Sequence, residues 1–276
     1  MTSEEEPGDP PFQFVTRGGF EIAYRVFGAQ DGKPLLMVHG LAASGRQFEA
    51  DARWFAARGF RVIIPDLRGH GRSTGPRPVA QDDYARADLV ADLIAILDQE
   101  HIASVNWVGN SLGGILALEA MLTSPDRLNT VIMFGTAFRL DIPPFVVKAL
   151  AATYRAIGVQ ALATIGAPMT TRYREPQKLI DSMLREVQAE PMLAVGANEA
   201  RYDLRAAARS FPRPILVIES SDDLAVNNAN RTLLPRLLEL PHMHLAKLKS
   251  AGHVANLDQP EMMREMIWRF VSRDLA

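Results

Sequence analysis

WVGNSLGG, residues 107–114, places one serine between two glycines with the spacing G-x-S-x-G. The apolar run VNWV leads into the serine and LGGILALEA follows it, which predicts a strand before it and a helix after it. In that setting a tight turn strains the serine backbone and projects the hydroxyl into a cleft. Gly109 and Gly113 are needed because side chains would collide where the strand and helix cross. The stretch therefore predicts that Ser111 is a nucleophile.

The composition excludes several classes of protein. The 276 residues include 30 basic and 32 acidic side chains, so neither nucleic acid nor an anionic membrane surface is an expected partner. The chain has no cysteine, which excludes disulfides, thiolate catalysis and cysteine-ligated metal sites. Its start lacks the pattern of a signal peptide, and no apolar run approaches the ~20 residues that span a bilayer. We therefore expect a soluble, cytoplasmic protein.

Short apolar runs alternate with helical patterns along most of the chain. This alternation predicts an α/β fold with a mainly parallel, doubly wound sheet of about eight strands, built from residues 12–139 and 207–276. Residues 140–206 interrupt it with a helical pattern that contains no strand. We interpret them as a helical cap or lid, inserted after the sixth strand over the sheet edge where such folds bind ligands. The acidic, proline-containing residues 1–11 are predicted to be a disordered tail.

A serine nucleophile needs a base, and that base needs an acid to orient it. Among the six histidines, His253 is the best candidate base because it lies in a loop after a strand, next to the flexible Gly252. The strand PILVIES runs into Asp222 and Asp223, which places both carboxylates at another strand end. Adjacent loop residues point in different directions, so only one of the two aspartates can face the imidazole.

Four motifs now stand in a defined order, namely VHGLAASG (38–45), DLRGHGRS (66–73), GNSLGG (109–114) and AGHVANLDQPE (251–261). Together they resemble the α/β-hydrolase fold superfamily, in its esterase- and lactonase-like branch, over about residues 12–273. The resemblance implies the order nucleophile, acid, base and assigns the acid to Asp223. It implies an oxyanion hole made by the backbone N–H groups of Leu41 and Leu112, with His39 bracing the loop. No metal and no cofactor is implied.

The predicted function is that of a serine hydrolase that cleaves carboxylic esters or lactones through an acyl-enzyme. The apolar composition of the cap favours a small or medium apolar substrate. We expect Asn110, Phe138, Phe145 and Met169 to line the pocket, although packing of the cap against the core is the alternative for the last three.

Two other functions stay open from the sequence. One is a C–C bond hydrolase of ring-fission products or a cofactor-free perhydrolase, because an asparagine at the position of Asn110 also occurs before the nucleophile in the C–C hydrolases. The other is a non-catalytic ligand-binding receptor on a hydrolase scaffold. Nothing in the sequence indicates an oligomeric state.

Overall fold

The structure is a computed structural model that describes residues 8–272. Within these residues the strands are β1 Gln13–Arg17, β2 Phe20–Phe27, β3 Lys33–Val38, β4 Phe60–Pro65, β5 Val105–Asn110, β6 Leu128–Phe134, β7 Arg139–Asp141, β8 Arg201–Asp203, β9 Ile215–Ser220 and β10 Met243–Leu248. The α-helices are α1 Glu49–Ala56, α2 Arg86–Gln99, α3 Leu112–Thr123, α4 Pro144–Thr170, α5 Arg174–Glu186, α6 Ala189–Glu199, α7 Arg205–Ser210, α8 Leu224–Asn230, α9 Leu234–Leu237, α10 Ala255–Asp258 and α11 Pro260–Val271. Short 3-10 helices cover Gly45–Phe48, Gln81–Tyr84 and Pro125–Arg127.

One sheet of eight strands runs in the order β1-β2-β4-β3-β5-β6-β9-β10. β4, β3, β5, β6, β9 and β10 are parallel to their neighbours in this order. β2 pairs antiparallel with both β1 and β4. β1 and β2 are joined through Gly18 and Gly19, whose φ angles of 52° and 88° suit a two-residue hairpin turn. The predicted α/β fold, with a mainly parallel sheet of about eight strands, is confirmed.

Alternate residues of each strand point to opposite faces of this sheet. Helices cover both faces, so both sets of side chains are buried. Trp107 of β5 packs in one core cluster, which includes Leu116 of α3. The next residue, Val108, packs in the second cluster, which includes Phe55 of α1. β5 is buried along its whole length in the middle of the sheet. Ser111, which directly follows it, therefore lies at the centre of the C-terminal sheet edge.

The segment between β6 and β9 interrupts the alternation, and two short strands frame it. β7 and β8 pair antiparallel, with Leu140 opposite Tyr202, and α4, α5 and α6 lie between them in the chain. The prediction that 140–206 contains no strand is therefore wrong at both ends of the segment. Strands of three residues are too short for alternating hydrophobicity to be recognised in a sequence. We call residues 139–203 the helical insert.

The first helix of the insert, α4, is bent. Gly158 lies within it at φ 76° and ψ 168°, far from helical values. In residues 8–272 no single helix is both long and apolar enough to cross a membrane. The two parts of α4, Pro144–Ala161 and Ala163–Thr170, pass that test only when they are counted together across a 93° bend.

Most of the predicted N-terminal tail lies outside the described residues. Of positions 1–11, residues 1–7 are not among them. Asp9 is described, and its carboxylate pairs with Arg25 at 3.0 Å and with Arg53 at 2.7 Å. Only 6% of the Asp9 side chain is exposed. The disorder predicted for the tail therefore does not extend to Asp9, because two guanidinium groups hold it on the core.

Candidate active site

Ser111 stands between the end of β5 and the first residue of α3. Its φ of 52° and ψ of −112° are rare for a residue with a side chain, and such a conformation costs about 1–3 kcal/mol. A methyl group on Gly109 would overlap the backbone of Gly113, and a methyl on Gly113 would overlap the Val38 carbonyl. The Ser111 N–H donates to the Phe134 carbonyl at 2.9 Å. Glycine contacts and a main-chain hydrogen bond thus hold the strained turn, which we call the nucleophile turn (residues 109–114).

His253 and Asp223 are brought together at the same sheet edge. The Nδ1 atom of His253 is 2.8 Å from Oδ2 of Asp223, whose side chain is 7% exposed against 30% for the imidazole. A carboxylate only accepts, so Nδ1 carries the proton and Nε2 is free to take one. A methyl on Gly135 would come within 3.2 Å of the His253 ring. Gly135 directly follows Phe134, so the ring and the Ser111 backbone approach the same end of β6.

Asp222 has different partners. Its carboxylate forms an ion pair with Arg172 at 3.3 Å and accepts a hydrogen bond from Ser221 Oγ at 2.7 Å. The side chain is 36% exposed. The sequence left two candidate acids, and in the structure only Asp223 reaches the imidazole of His253.

The loop after β3 is held by His39, which is fully buried. Its Nε2 accepts the N–H of Leu67 at 3.0 Å, so Nδ1 carries the proton and donates to the Gly40 carbonyl at 2.7 Å. In a trans peptide the N–H points away from the C=O, so this bond turns the Leu41 N–H to the other side. Leu112 opens α3, and the first N–H groups of a helix have no acceptor within it. We call residues 39–44 the oxyanion loop.

Two buried histidines, His39 and His70, lie near this loop. Burial lowers the pKa of His39 to about 4 and that of His70 to about 4, so both imidazoles are neutral at pH 7. Their rings lie 5.4 Å apart, and both are closed off from solvent. Among the residues described, no three His, Asp or Glu side chains are grouped so that they could hold a metal ion. His39 braces the oxyanion loop, His70 contacts the Arg68 carbonyl at 3.1 Å, and the side chain of His253 is 30% exposed.

The four residues predicted to line the pocket are not brought together. Phe138 is fully buried in the core cluster that contains Trp107. Phe145 and Met169 of α4 are 73% and 81% exposed. The sequence does not indicate which side of α4 faces the core, because apolar residues lie all round the helix, and a place for Phe145 and Met169 in the pocket stays a prediction.

Asn110 is also not a pocket residue, although it directly precedes Ser111. It is 1% exposed, and its Nδ2 donates to the His253 carbonyl at 2.9 Å. Its Oδ1 accepts a hydrogen bond from Nε2 of Gln47 at 2.9 Å. Gln47 is not among the residues predicted from the sequence, where its only signal is a glutamine at the start of an otherwise amphipathic helical stretch.

The helical insert contacts the loop that carries His253. The N–H of His253 donates to the Thr170 carbonyl at 3.1 Å. Thr171 Oγ1 donates to one carboxylate oxygen of Asp258, and the other accepts the Gly252 N–H at 2.7 Å. We call residues 250–258 the histidine segment. It is fixed to the end of α4 by these contacts, which no sequence pattern predicts because the partners are far apart in the chain.

The chain is similar to known hydrolase sequences. The family model described as serine aminopeptidase, S33, matches residues 31–259. The chain is 26% identical over 276 residues to 3-oxoadipate enol-lactonase 2 of Acinetobacter baylyi, covering 96% of this chain and 99% of the relative. It is 27% identical over 264 residues to the putative carbamate hydrolase RutD of Variovorax paradoxus, covering 91% and 96% of the two chains.

Comparison with solved structures gives the same architecture. The enol-lactonase from Burkholderia xenovorans LB400 superposes with a TM-score of 0.82 and is 26% identical. The match covers 95% of this chain and all of the other. The similarity thus extends through the sheet and the helical insert alike.

Proposed function

The chain belongs to the serine aminopeptidase S33 family and is an α/β hydrolase, and from that premise we propose that it cleaves carboxylic esters or lactones of small to medium apolar substrates. One observation carries the proposal: the hydrogen-bonded pair of His253 and Asp223 lies beside the strained turn of Ser111. Strained backbone at such a site is a marker of function, since the fold must stabilise it elsewhere.

The proposed reaction has two steps. His253 Nε2 takes the proton of Ser111 Oγ as that oxygen attacks the substrate carbonyl, and Asp223 stabilises the imidazolium that forms. The N–H groups of Leu41 and Leu112 bind the oxyanion. The C–O bond to the alcohol then breaks, and His253 returns its proton to the leaving oxygen. Water, deprotonated by His253, attacks the acyl carbon, the bond from that carbon to Ser111 Oγ breaks, and His253 returns the proton to Ser111 Oγ as the acid leaves.

We assign the helical insert as the cap of this site. Its α4 meets the histidine segment through Thr170, and its α6 lies against the oxyanion loop, where a methyl on Gly196 would be 3.6 Å from Leu41 Cδ2. The insert thus touches both sides of the proposed cleft. The sequence of α4 is mainly apolar, and apolar pocket walls favour an apolar acyl group. The named enol-lactonase relatives support a lactone or ester as the bond that is cleaved.

The alternatives have less support. Asn110 suggested C–C bond cleavage, but its side chain is buried among protein groups and cannot contact a substrate. The receptor alternative has no observation in its favour, whereas the arrangement of Ser111, His253 and Asp223 has a direct chemical use.

A substrate panel tests the proposal. Purified protein is assayed with p-nitrophenyl esters of increasing chain length, with small lactones, with a vinylogous diketone and with an aminoacyl p-nitroanilide, each beside Ser111→Ala. We expect turnover of short or medium esters or of lactones, and its loss in the variant. Turnover confined to the diketone or the anilide, or equal turnover by Ser111→Ala, would contradict the proposal.

A further inference from the structure

Three of the four loops that carry the proposed catalytic groups meet at one buried side chain. Gln47 lies in the 3-10 helix after the oxyanion loop and is 2% exposed. Its Oε1 accepts the N–H of Gly40 at 3.3 Å. Its Nε2 donates to Oδ1 of Asn110 at 2.9 Å and to Oδ1 of Asn256 at 3.1 Å. A single amide group therefore contacts the oxyanion loop, the nucleophile turn and the histidine segment.

The orientation of these amides is set by main-chain groups of fixed polarity. The Gly40 N–H can only donate, so the atom of Gln47 that faces it is the oxygen. The Nδ2 of Asn110 lies 2.9 Å from the His253 carbonyl and 3.3 Å from the Phe134 carbonyl, both of which only accept. Rotating either amide by 180° would place like atoms together. The hydrogen bonds that lead from Gly40 through Gln47 and Asn110 to His253 therefore allow only one orientation of each amide.

Asn256 is hydrogen-bonded to both the side chain and the main chain of Gln47. Its Nδ2 donates to the Gln47 carbonyl at 3.0 Å and to Oδ2 of Asp51 at 2.9 Å. Arg264 Nε donates to the other oxygen of Asp51 at 2.6 Å. Gln47, Asn110 and Asn256, which we call the amide cluster, therefore rest on a buried ion pair and are held from outside the site.

From this arrangement we infer that Gln47 is a positioning residue for hydrolysis, an inference that rests on the proposed function. Gln47 accepts the N–H of Gly40, while His39 donates to the Gly40 carbonyl, so the peptide units on both sides of the Gly40 Cα are held, and the second of them carries the Leu41 N–H. Through Asn110 it also fixes the main chain of His253. The Leu41 N–H and the His253 main chain are thereby kept in a fixed position relative to Ser111. A misplacement of about 1 Å in such a site costs about 10²-fold in rate.

A matched control lies on the same strand as Asn110. Asn106, also 1% exposed, stands toward the opposite end of β5. Its Nδ2 donates to the Pro34 carbonyl at 3.0 Å, and its Oδ1 accepts from Thr130 Oγ1 at 2.8 Å. Truncating Asn106 removes a buried asparagine with similar bonding but touches none of the proposed catalytic loops. A comparison of the two asparagines therefore separates positioning from general stability.

The experiment measures kcat, KM and the melting temperature for Gln47→Met, Asn110→Ala and Asn106→Ala on an ester that the wild type turns over. We expect kcat to fall about 30- to 100-fold in the first two variants with KM changed less than about threefold, since the substrate does not touch Gln47. Asn106→Ala should keep kcat within about twofold of the wild type despite a similar fall in melting temperature.

Gln47→Glu is the second variant, for use if Gln47→Met does not fold. It keeps the shape and the acceptor for Gly40 but places an oxygen against the amide oxygens of Asn110 and Asn256. While protonated, the new carboxyl still donates one hydrogen bond. The ratio of variant to wild-type kcat should therefore fall as the pH rises, which a purely structural role would not produce.

The outcomes distinguish this inference from the proposed function. If Ser111→Ala is inactive but Gln47→Met keeps kcat within about twofold, the positioning role is overturned and the proposed function stands. An equal kcat loss in Asn106→Ala would also overturn the positioning role. If Ser111→Ala turns the ester over as fast as the wild type, the proposed function fails and the inference fails with it.

Discussion

The nucleophile turn and helix α4 are both rich in small and apolar residues, but they are fixed to very different degrees. In residues 107–114 every residue except Ser111 is buried. In α4, by contrast, Phe145, Leu150 and Met169 are 73%, 62% and 81% exposed. Apolar composition alone therefore does not place a residue in the core. Close backbone contacts do so in the nucleophile turn, whereas a methyl group on Gly158 of α4 would meet nothing within 4 Å.

The largest effect that separates the two regions is expected at Ser111. Ser111→Ala removes the proposed nucleophile, so kcat on a p-nitrophenyl ester should fall by about 10⁴-fold or more. The melting temperature should stay close to that of the wild type, because only one hydroxyl is lost. A kcat within tenfold of the wild type would remove the functional distinction between the nucleophile turn and α4.

Next in size is the difference between two adjacent aspartates. Asp223→Asn leaves His253 without a carboxylate partner and should lower kcat by about 10³-fold. Asp222→Asn is the control, since Asp222 pairs with Arg172 at the surface, and its kcat should stay within about threefold. Steady-state kinetics of both variants checks this. A larger loss in Asp222→Asn would reverse the assignment of the acid.

The same substitution in the two regions should have different effects on stability. Gly113→Ala places a methyl group on the Val38 carbonyl and should lower the free energy of unfolding by about 3 kcal/mol. Gly166→Ala in α4 meets only the flexible end of Leu184, at 3.3 Å, and should change it by less than about 1 kcal/mol. Urea titrations measure both values. Equal losses would mean that α4 is packed as tightly as the turn.

A pH effect is expected where the insert meets the core. Glu199 at the end of α6 lies 3.3 Å from Arg86 of α2, but burial outweighs this ion pair and raises the pKa of Glu199 to about 7. The folded protein thus binds this proton more tightly than the unfolded chain, where the ordinary value is 4.5. The resulting stabilisation is complete below about pH 4.5 and is lost as the pH rises through about 7.

Glu199→Gln removes that dependence. Relative to the wild type, its free energy of unfolding should rise by about 2 kcal/mol between pH 5 and pH 8. Denaturant titrations at the two pH values measure the difference. A pH-independent offset between variant and wild type would show that the carboxyl titrates at its ordinary value.

The smallest effects are expected on the exposed side of α4. Phe145→Ala and Met169→Ala remove side chains that are largely in solvent, so the free energy of unfolding should change by less than about 0.5 kcal/mol. Ester hydrolysis should stay within about twofold of the wild type. A tenfold rise in KM for either variant would instead place that side chain on the substrate.

The sequence predicts the nucleophile turn well because its requirements are local. Gly109 and Gly113 reflect backbone contacts within a few residues, and a strand followed by a helix is visible as a change of hydrophobic period. Asp222 and Asp223 are not separable in this way, since the direction of a loop side chain depends on the surrounding fold. The resemblance to a family favoured Asp223, and the contact to His253 agrees with it.

The contacts of the amide cluster and the covered face of α4 could not be predicted from the sequence, for a different reason. Gln47 contacts Asn110 and Asn256 across 63 and 209 residues of chain, and such contacts leave no periodic pattern. In α4 the apolar residues lie all round the helix, so no stripe indicates the covered face. The exposure of Phe145 and Met169 was therefore not predictable, whereas the general helical character of the segment was recognised.

The most direct measurement of the central claim is covalent labelling of Ser111. The protein is incubated with a fluorophosphonate, and its intact mass and modified peptide are determined beside those of Ser111→Ala and Asp222→Asn. The activated serine should displace fluoride and gain one phosphonyl group on Ser111, with no labelling in Ser111→Ala and normal labelling in Asp222→Asn. An unlabelled wild type, or equal labelling of Ser111→Ala, would contradict the assignment of Ser111 as the nucleophile.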